Sequence, residues 1–241
     1  MTPLHNGQRH DGLYALLHRA HCLLLDFDGP VCDLFGGLPA DGIAERMHRR
    51  LAEQGVRAAG GGGAPSTDPH GLLGALGTHE GFVEMESFLA KEEEQAALSA
   101  TPTPGAHDFV RAVAESGRLL AITTNNSPGS VDTYLKSHEL DTYFGEWIFG
   151  RSTEHPTLMK PHPDCLLRAV AAVGVAREDC LMIGDSPRDA AAARAAGIGF
   201  LGFATSEDKA ERLRRQVDRP LVVVGMEDLV DAAKHLDRPN G

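Results

Sequence analysis

Asp26 and Asp28, two carboxylates one residue apart, end a run of three leucines in the stretch 23 to 31, LLLDFDGPV. Leucines without polar alternation suit a strand covered on both faces. Gly29-Pro30 cannot continue that strand, so both acids fall at its carboxyl edge, where an open α/β sheet binds its ligands. Residues i and i+2 of a strand share a face, so the two carboxylates crowd one place and call for a cation or a proton. Three more clusters carry polar residues that a core would not choose: Thr124 with Asn125, Lys160 in MKPHPD, and Asp185 with Asp189 in IGDSPRDAAAARAAG. Three acids brought together repel unless a hard divalent cation sits among them, and an oxygen-only donor set suits Mg²⁺. A carboxylate held against such an ion can attack phosphorus, and a second carboxyl two residues on can protonate the leaving oxygen. Lys160 would neutralise charge growing on a transferred phosphoryl group, and the Thr124 hydroxyl would donate to one of its oxygens.

For these clusters to meet, the chain must carry them to one edge. Apolar Leu13, Leu16 and Leu17 predict a short helix over residues 11 to 20, after ten residues expected to be disordered. Beyond Pro30 the period changes. Ile43, Met47 and Leu51 predict a helix over residues 40 to 55, with Asp41 as a possible cap and Gly55 as its stop. Residues 57 to 69, RAAGGGGAPSTDP, have no periodicity and read as a flexible linker. Residues 70 to 77 form a short helix and residues 82 to 100 a longer one with an acidic outer face.

From Thr101 onward helices and apolar strands alternate: helix to Gly117, strand through LLAITT, helix from Ser127-Pro128, short strand near Trp147, helix to Gly174, strand CLMIGD. Two further strands, IGFLGF and PLVVV, are each preceded and followed by helices. This order predicts an α/β fold, a Rossmann-like parallel sheet with helices on both faces. Residues 11–34 and 100–241 make up this core domain, and residues 35–99 form a small α-helical domain inserted after the first strand.

The formal net charge of −11 argues against non-specific nucleic-acid binding, which needs a basic face. A small anionic substrate remains compatible, because a bound metal and one lysine reverse the sign locally. The apolar runs are too short to span a membrane, and the N-terminal segment runs through Arg and His into the acids, unlike a signal peptide. A cytoplasmic protein is expected, monomeric or homodimeric. Its four cysteines show no CxxC and its twelve histidines no HxH or HExxH, so buried reduced thiols and no zinc site are expected.

Taken together, the four clusters resemble the motifs of the haloacid dehalogenase-like (HAD) hydrolase superfamily, in its branch with a helical cap, the one that holds phosphoglycolate phosphatase-like and β-phosphoglucomutase-like proteins. LLLDFDG matches the strand followed by DxDG, Thr124 the Thr or Ser that ends the second strand, and Lys160 with Pro161 and Pro163 the lysine motif. Residues 184 to 197 match GDSxxD with its small residues and Ala-Gly. The resemblance implies that Asp26 is the nucleophile that becomes an aspartyl phosphate. Asp28 is then the general acid and later the base for water. Mg²⁺ is implied on Asp26, the Asp28 backbone carbonyl, Asp185 and Asp189, and phosphate on Thr124, Asn125 and Lys160. Pro30 departs from the Thr or Val common after the first motif, and Thr123 leaves a one-residue choice of register in the second.

The function implied is an Mg²⁺-dependent phosphatase acting on a small phosphorylated metabolite. A phosphomutase of the same branch keeps all four motifs, and a non-catalytic binding module is the alternative from another class. Dehalogenase chemistry is disfavoured, since those relatives do not need the acid that Asp28 provides. The insertion's single lysine, Lys91, sits in a glutamate run and is badly placed for a Schiff base. Asp68, His70, His79, Glu84, Arg49 and Arg50 are candidates for substrate contact in the insertion. Each reads more readily as an ordinary solvated residue, and none is assigned a role.

Overall fold

In the computed structural model residues 6–56, 66–77, 79, 81–218 and 220–239 are described. The elements, in chain order, begin with α1 (Asn6–Arg19), β1 (Cys22–Leu25), β2 (Cys32–Asp33), α2 (Ala40–Glu53), α3 (Pro69–Leu76), α4 (Phe82–Ala97) and β3 (Thr101–Pro102). There follow α5 (Ala106–Glu115), β4 (Leu119–Thr123), α6 (Pro128–Ser137), α7 (Asp141–Phe144), β5 (Ile148–Phe149) and α8 (Asp164–Val173). The last are β6 (Cys180–Gly184), α9 (Pro187–Ala196), β7 (Gly199–Ala204), α10 (Glu207–Gln216), β8 (Leu221–Val224) and α11 (Glu227–Lys234).

Six of the strands form one parallel sheet in the order β5-β4-β1-β6-β7-β8. β1 lies at its centre, between β4 and β6, with Leu25 in register with Ile122 and Ile183. Because strand side chains alternate, Leu23 and Leu25 enter the cluster built with α1, α5, α6 and α11, while Cys22 and Leu24 enter the cluster built with α8 and α9. Both faces of β1 are therefore covered, and its four residues are buried. Each fully buried leucine contributes about 1.5–3 kcal/mol, which explains why the run tolerates no polar residue. This is the expected α/β, Rossmann-like architecture.

The chain leaves the sheet at β2 and returns at β3, and these two pair antiparallel, Cys32 opposite Pro102. Exit and return therefore lie side by side. Between them α2, α3 and α4 share an apolar cluster of their own, with Ile43, Met47, Leu51, Leu73, Met85 and Leu89. The end of α4 differs, since Ala96 and Ala97 belong to the cluster under the sheet.

Several local expectations change. The first helix begins at Asn6, inside the segment expected to be disordered; residues 1–5 lie outside the described residues, as do residues 57–65 of the glycine-rich linker. Pro39, not Asp41, precedes α2, and Asp41 sits within its first turn. The acidic outer face expected for α4 is only partial: Glu86 and Glu93 are buried among its apolar residues. All four cysteines are free thiols and buried. Among the described residues no helix is long and apolar enough to cross a membrane.

Candidate active site

All four clusters reach the carboxyl edge of the sheet. Asp26 follows β1 directly, its N–H continuing the ladder onto Ile183 O at 2.9 Å. Thr124 follows β4, its N–H donating to Phe149 O at 3.1 Å. Asp185 follows β6, and Asp189 lies in the first turn of α9. Lys160 arrives on the irregular segment between β5 and α8 and is clamped by Asn125. The Asn125 Oδ1 accepts from Lys160 N at 2.7 Å, and its Nδ2 donates to Lys160 O at 3.1 Å. Both ends of the Asn125 amide thus hold the lysine's backbone.

The lysine ammonium joins the edge together. Nζ donates to Thr123 O at 3.0 Å, lies 2.9 Å from Asp26 Oδ1, and bonds Asp189 Oδ1. Asp26 Oδ1 also accepts from Phe27 N at 2.8 Å. Asp189 is fully buried and closes a capping box with Ser186, its Oδ2 accepting from Ser186 N at 3.0 Å and from Ser186 Oγ at 2.6 Å. Its helix-start position therefore does not explain it alone, because a simple capping acid would stand in solvent.

Two glycines make the approach possible. Gly29 has φ +114°, and a Cβ there would run into the Asp185 carboxylate. At Gly184 a Cβ would stand 2.6 Å from Asp189 Cβ. The glycines of the first and fourth motifs are thus needed for the acids to meet.

Carboxylate oxygens of Asp26, Asp185 and Asp189 all lie within 4.8 Å of one another. Burial pushes Asp26 up to about 8, Asp189 and Asp185 adding repulsion that Lys160 opposes. Asp185 is pushed up to about 7 by burial and then by Asp189 and Asp28. Burial alone would lower Lys160, but the carboxylates of Asp189 and Asp26 outweigh it and hold the ammonium charged. One cation among three crowded acids leaves a deficit of positive charge, and the donor set is oxygen only. These residues fit a hard divalent cation.

Asp28 stands apart from this cluster. Its Oδ1 accepts from Leu34 N at 2.9 Å, and burial raises its pKa against that bond. Burial thus favours the neutral form of this carboxyl, the direction that suits a proton donor. Thr124 and Thr123 divide as well: Thr124 lines the cavity, whereas Thr123 Oγ1 faces Met182 Sδ at 3.3 Å on the buried side. The Thr124 hydroxyl donates to Asn126 Oδ1 at 2.8 Å.

Asp26, Asp28, Thr124, Asn125, Lys160, Asp185 and Asp189 line one cavity of about 350 Å³. Among the other residues that line it, His70, Asn126 and Arg188 bring polar side chains that the motifs did not mark. His70 is only 14% exposed, so it is not the solvated residue one reading made it. Asp68 caps α3 and pairs with Arg188 at 2.8 Å. The other residues weighed in the insertion stay on its surface, Glu84 accepting from Gln54 and Arg50 lying over the Phe88 ring.

The model of the haloacid dehalogenase-like hydrolase family matches residues 21–197, from β1 to the turn after α9. A "Phosphoglycolate phosphatase 1" of Pseudomonas aeruginosa is 30% identical over 219 residues, 88% of this chain and 79% of that protein. A HAD family hydrolase from Deinococcus radiodurans, solved with bound phosphate and sodium, is 25% identical with a TM-score of 0.57, covering 90% of this chain and 98% of that one. A hydrolase from Pseudomonas syringae shares the fold at a TM-score of 0.64 and 19% identity, over 90% of this chain and 99% of its own. With all four motifs inside the matched span, the chain belongs to the haloacid dehalogenase-like hydrolase family, as an enzyme of its phosphatase side.

Proposed function

We propose that the protein is an Mg²⁺-dependent phosphatase that hydrolyses a small phosphorylated metabolite through an aspartyl phosphate on Asp26. The observation that carries this is the meeting of Asp26, Asp185 and Asp189 around the Lys160 ammonium at one sheet edge. The name of the P. aeruginosa relative and the phosphate held by the D. radiodurans neighbour support it.

Asp26, Asp185, Asp189 and the Asp28 carbonyl would hold the cation. When bound, it offsets the carboxylates' repulsion and draws charge from phosphoryl oxygens. The protein's own part is as follows. One oxygen of Asp26, fixed by Lys160 and Phe27 N–H, anchors the carboxylate while the group attacks phosphorus. The bond from phosphorus to the ester oxygen breaks, and Asp28 gives its proton to that oxygen. Water then attacks phosphorus, Asp28 takes its proton, and the bond to Asp26 breaks to release inorganic phosphate. Lys160 and the Thr124 loop balance charge on the phosphoryl oxygens. Asn125 serves by holding Lys160 in place.

We take residues 35–99 as a cap over the core formed by 11–34 and 100–241, closing the cavity and excluding water during transfer. Four buried free thiols fit a reducing, cytoplasmic setting.

Phosphate release from sugar phosphates, phosphoglycolate and nucleotides, with Mg²⁺ and with EDTA, tests the reading in the wild type and in Asp26→Asn. Release that needs Mg²⁺ and vanishes in the variant is expected. Isomer conversion without release would show the mutase instead, and no turnover by a folded, Mg²⁺-binding protein would show a binding module.

A further inference from the structure

Arg188, Asp68, His70, Glu93 and Arg151 form a chain of alternating charge across the boundary between α3–α4 and the strand-end loops. Arg188 Nη2 donates to Asp68 Oδ2 at 2.8 Å, and Asp68 Oδ1 caps α3 by accepting from His70 N at 3.0 Å. His70 Nε2 lies 2.8 Å from Glu93 Oε1, and Arg151 Nη1 grips both Glu93 oxygens at 2.8 and 2.6 Å. Asn126 Nδ2 and Ser127 N, on the loop after β4, also donate to Glu93. His70 is thereby fixed twice, through its backbone by Asp68 and through its ring by Glu93.

Among the described residues of 35–99, His70 is the one that lines the strand-end cavity. A fully buried glutamate is costly, and a leucine would hold α4 on α6 without that cost. What a leucine would not do is orient an imidazole. Burial would raise the Glu93 carboxyl, yet Arg151 and His70 hold it down at about 2, so it is an acceptor only. His70 Nε2 must then carry a proton, and only as the imidazolium does the ring offer an anion a second donor, the Nδ1–H that Glu93 does not engage.

Charge divides across the cavity. Asp26, Asp185 and Asp189 sit at the strand ends with Lys160, whose three donors are already shared among Asp26, Asp189 and Thr123 O. A leaving group on a phosphoryl at Asp26 shares this cavity, whose other basic side chains are His70, from the insertion, and Arg188, from α9. Arg188 is 48% exposed and gives Asp68 one nitrogen, so its planar fork retains donors for a second carboxylate or phosphate.

We propose that His70, positioned by Glu93, and Arg188 read the leaving group and select phosphomonoesters whose alcohol carries a second anionic group, a carboxylate or a second phosphate. This rests on the phosphatase reading above. A neutral alcohol leaves Arg188 on Asp68 and gains neither contact. An anionic one gains charge-assisted hydrogen bonds, each worth about 1.5–3 kcal/mol, or about 10- to 100-fold in kcat/KM.

The test compares kcat/KM for 2-phosphoglycolate, ethylene glycol bisphosphate, 2-hydroxyethyl phosphate and p-nitrophenyl phosphate, with Mg²⁺, in the wild type and in His70→Gln, Glu93→Gln and Arg188→Gln. The wild type is expected to favour one of the two anionic substrates over 2-hydroxyethyl phosphate by about tenfold or more; which one it favours identifies the second group. Each variant should lower that ratio about tenfold, mainly through KM of the anionic substrate. A merely structural defect slows all substrates together and leaves the ratio standing. No preference in the wild type, or a ratio unmoved in His70→Gln and Arg188→Gln, overturns the inference. Should a buried variant fail to fold, Arg188→Gln, on an exposed side chain, carries the test. If no phosphomonoester at all is hydrolysed, the phosphatase reading fails and this one with it; hydrolysis with an unmoved ratio sinks this one alone.

Discussion

Lys160 Nζ stands 2.9 Å from Asp26 Oδ1 while also bonding Asp189 Oδ1 and Thr123 O, so the three donors of one ammonium tie the ends of β1 and β4 to the first turn of α9. The contact joins charge balance to position. Lys160→Met keeps the stem and removes the charge. We expect phosphate release to fall about 100-fold or more, the loss typical of one preorganised donor. Urea unfolding of the metal-free variant should show a loss of about 3–5 kcal/mol, because buried carboxylates then lack their partner. Lys160→Arg should not restore activity, since a planar fork cannot place three donors around one point.

Metal binding separates the roles of Asp185 and Asp28. The Asp185 carboxylate belongs to the cluster, whereas the Asp28 carboxylate is turned onto Leu34 N. Mg²⁺ at 100 times its Kd should stabilise the wild type by about 2.7 kcal/mol, read as a rise in Tm. Asp185→Asn should abolish the rise, and Asp28→Asn should retain it while losing turnover.

Gly29 tests whether the site depends on backbone approach. With φ +114° and Asp185 in the way of a Cβ, Gly29→Ala forces both an unfavourable backbone and a displaced carboxylate. A stability loss of about 1–3 kcal/mol is expected, together with a smaller Mg²⁺-induced shift in Tm. Unchanged stability and an unchanged shift would show that the turn adapts.

Acid should act through Glu93. Its carboxyl is held at about 2 in the folded protein, against an ordinary 4.5, because Arg151 and His70 outweigh its burial. The unfolded chain therefore binds the proton first. Stability from this group is full above about pH 4.5 and is lost as pH falls toward 2. Urea midpoints between pH 2 and 6 should fall more steeply in the wild type than in Glu93→Gln, which has nothing to protonate.

Much of this is legible in the sequence. The leucines of β1 show no alternation because both faces are covered, and Gly29-Pro30 marks where the acids must fall. The strand-end motifs were legible because a parallel sheet puts all its carboxyl ends on one edge. Glu86 and Glu93 were not, since a run of glutamates looks like a solvated face. A signal was nonetheless present: both fall on the stripe of Phe82, Met85, Leu89 and Ala96, spaced as a buried helix face. Their partner Arg151 lies in an aperiodic segment 58 residues from Glu93, and pairing at that range leaves no periodic trace. His70 stands in the sequence only as one of six candidates without a role, for a related reason. Its place depends on a cap from Asp68 and a bond from Glu93, and neither shows in its own neighbours in sequence.

Covalent attack by Asp26 is best tested by trapping. Asp28→Asn mixed with p-nitrophenyl phosphate and Mg²⁺ retains the first step, whose leaving group needs no proton, and lacks the base for the second. Quenching with acid and reducing with borohydride converts an aspartyl phosphate to homoserine, located by peptide mass spectrometry. Homoserine at position 26, absent without substrate, is the predicted result. A burst of p-nitrophenol with Asp26 unmodified would contradict the account.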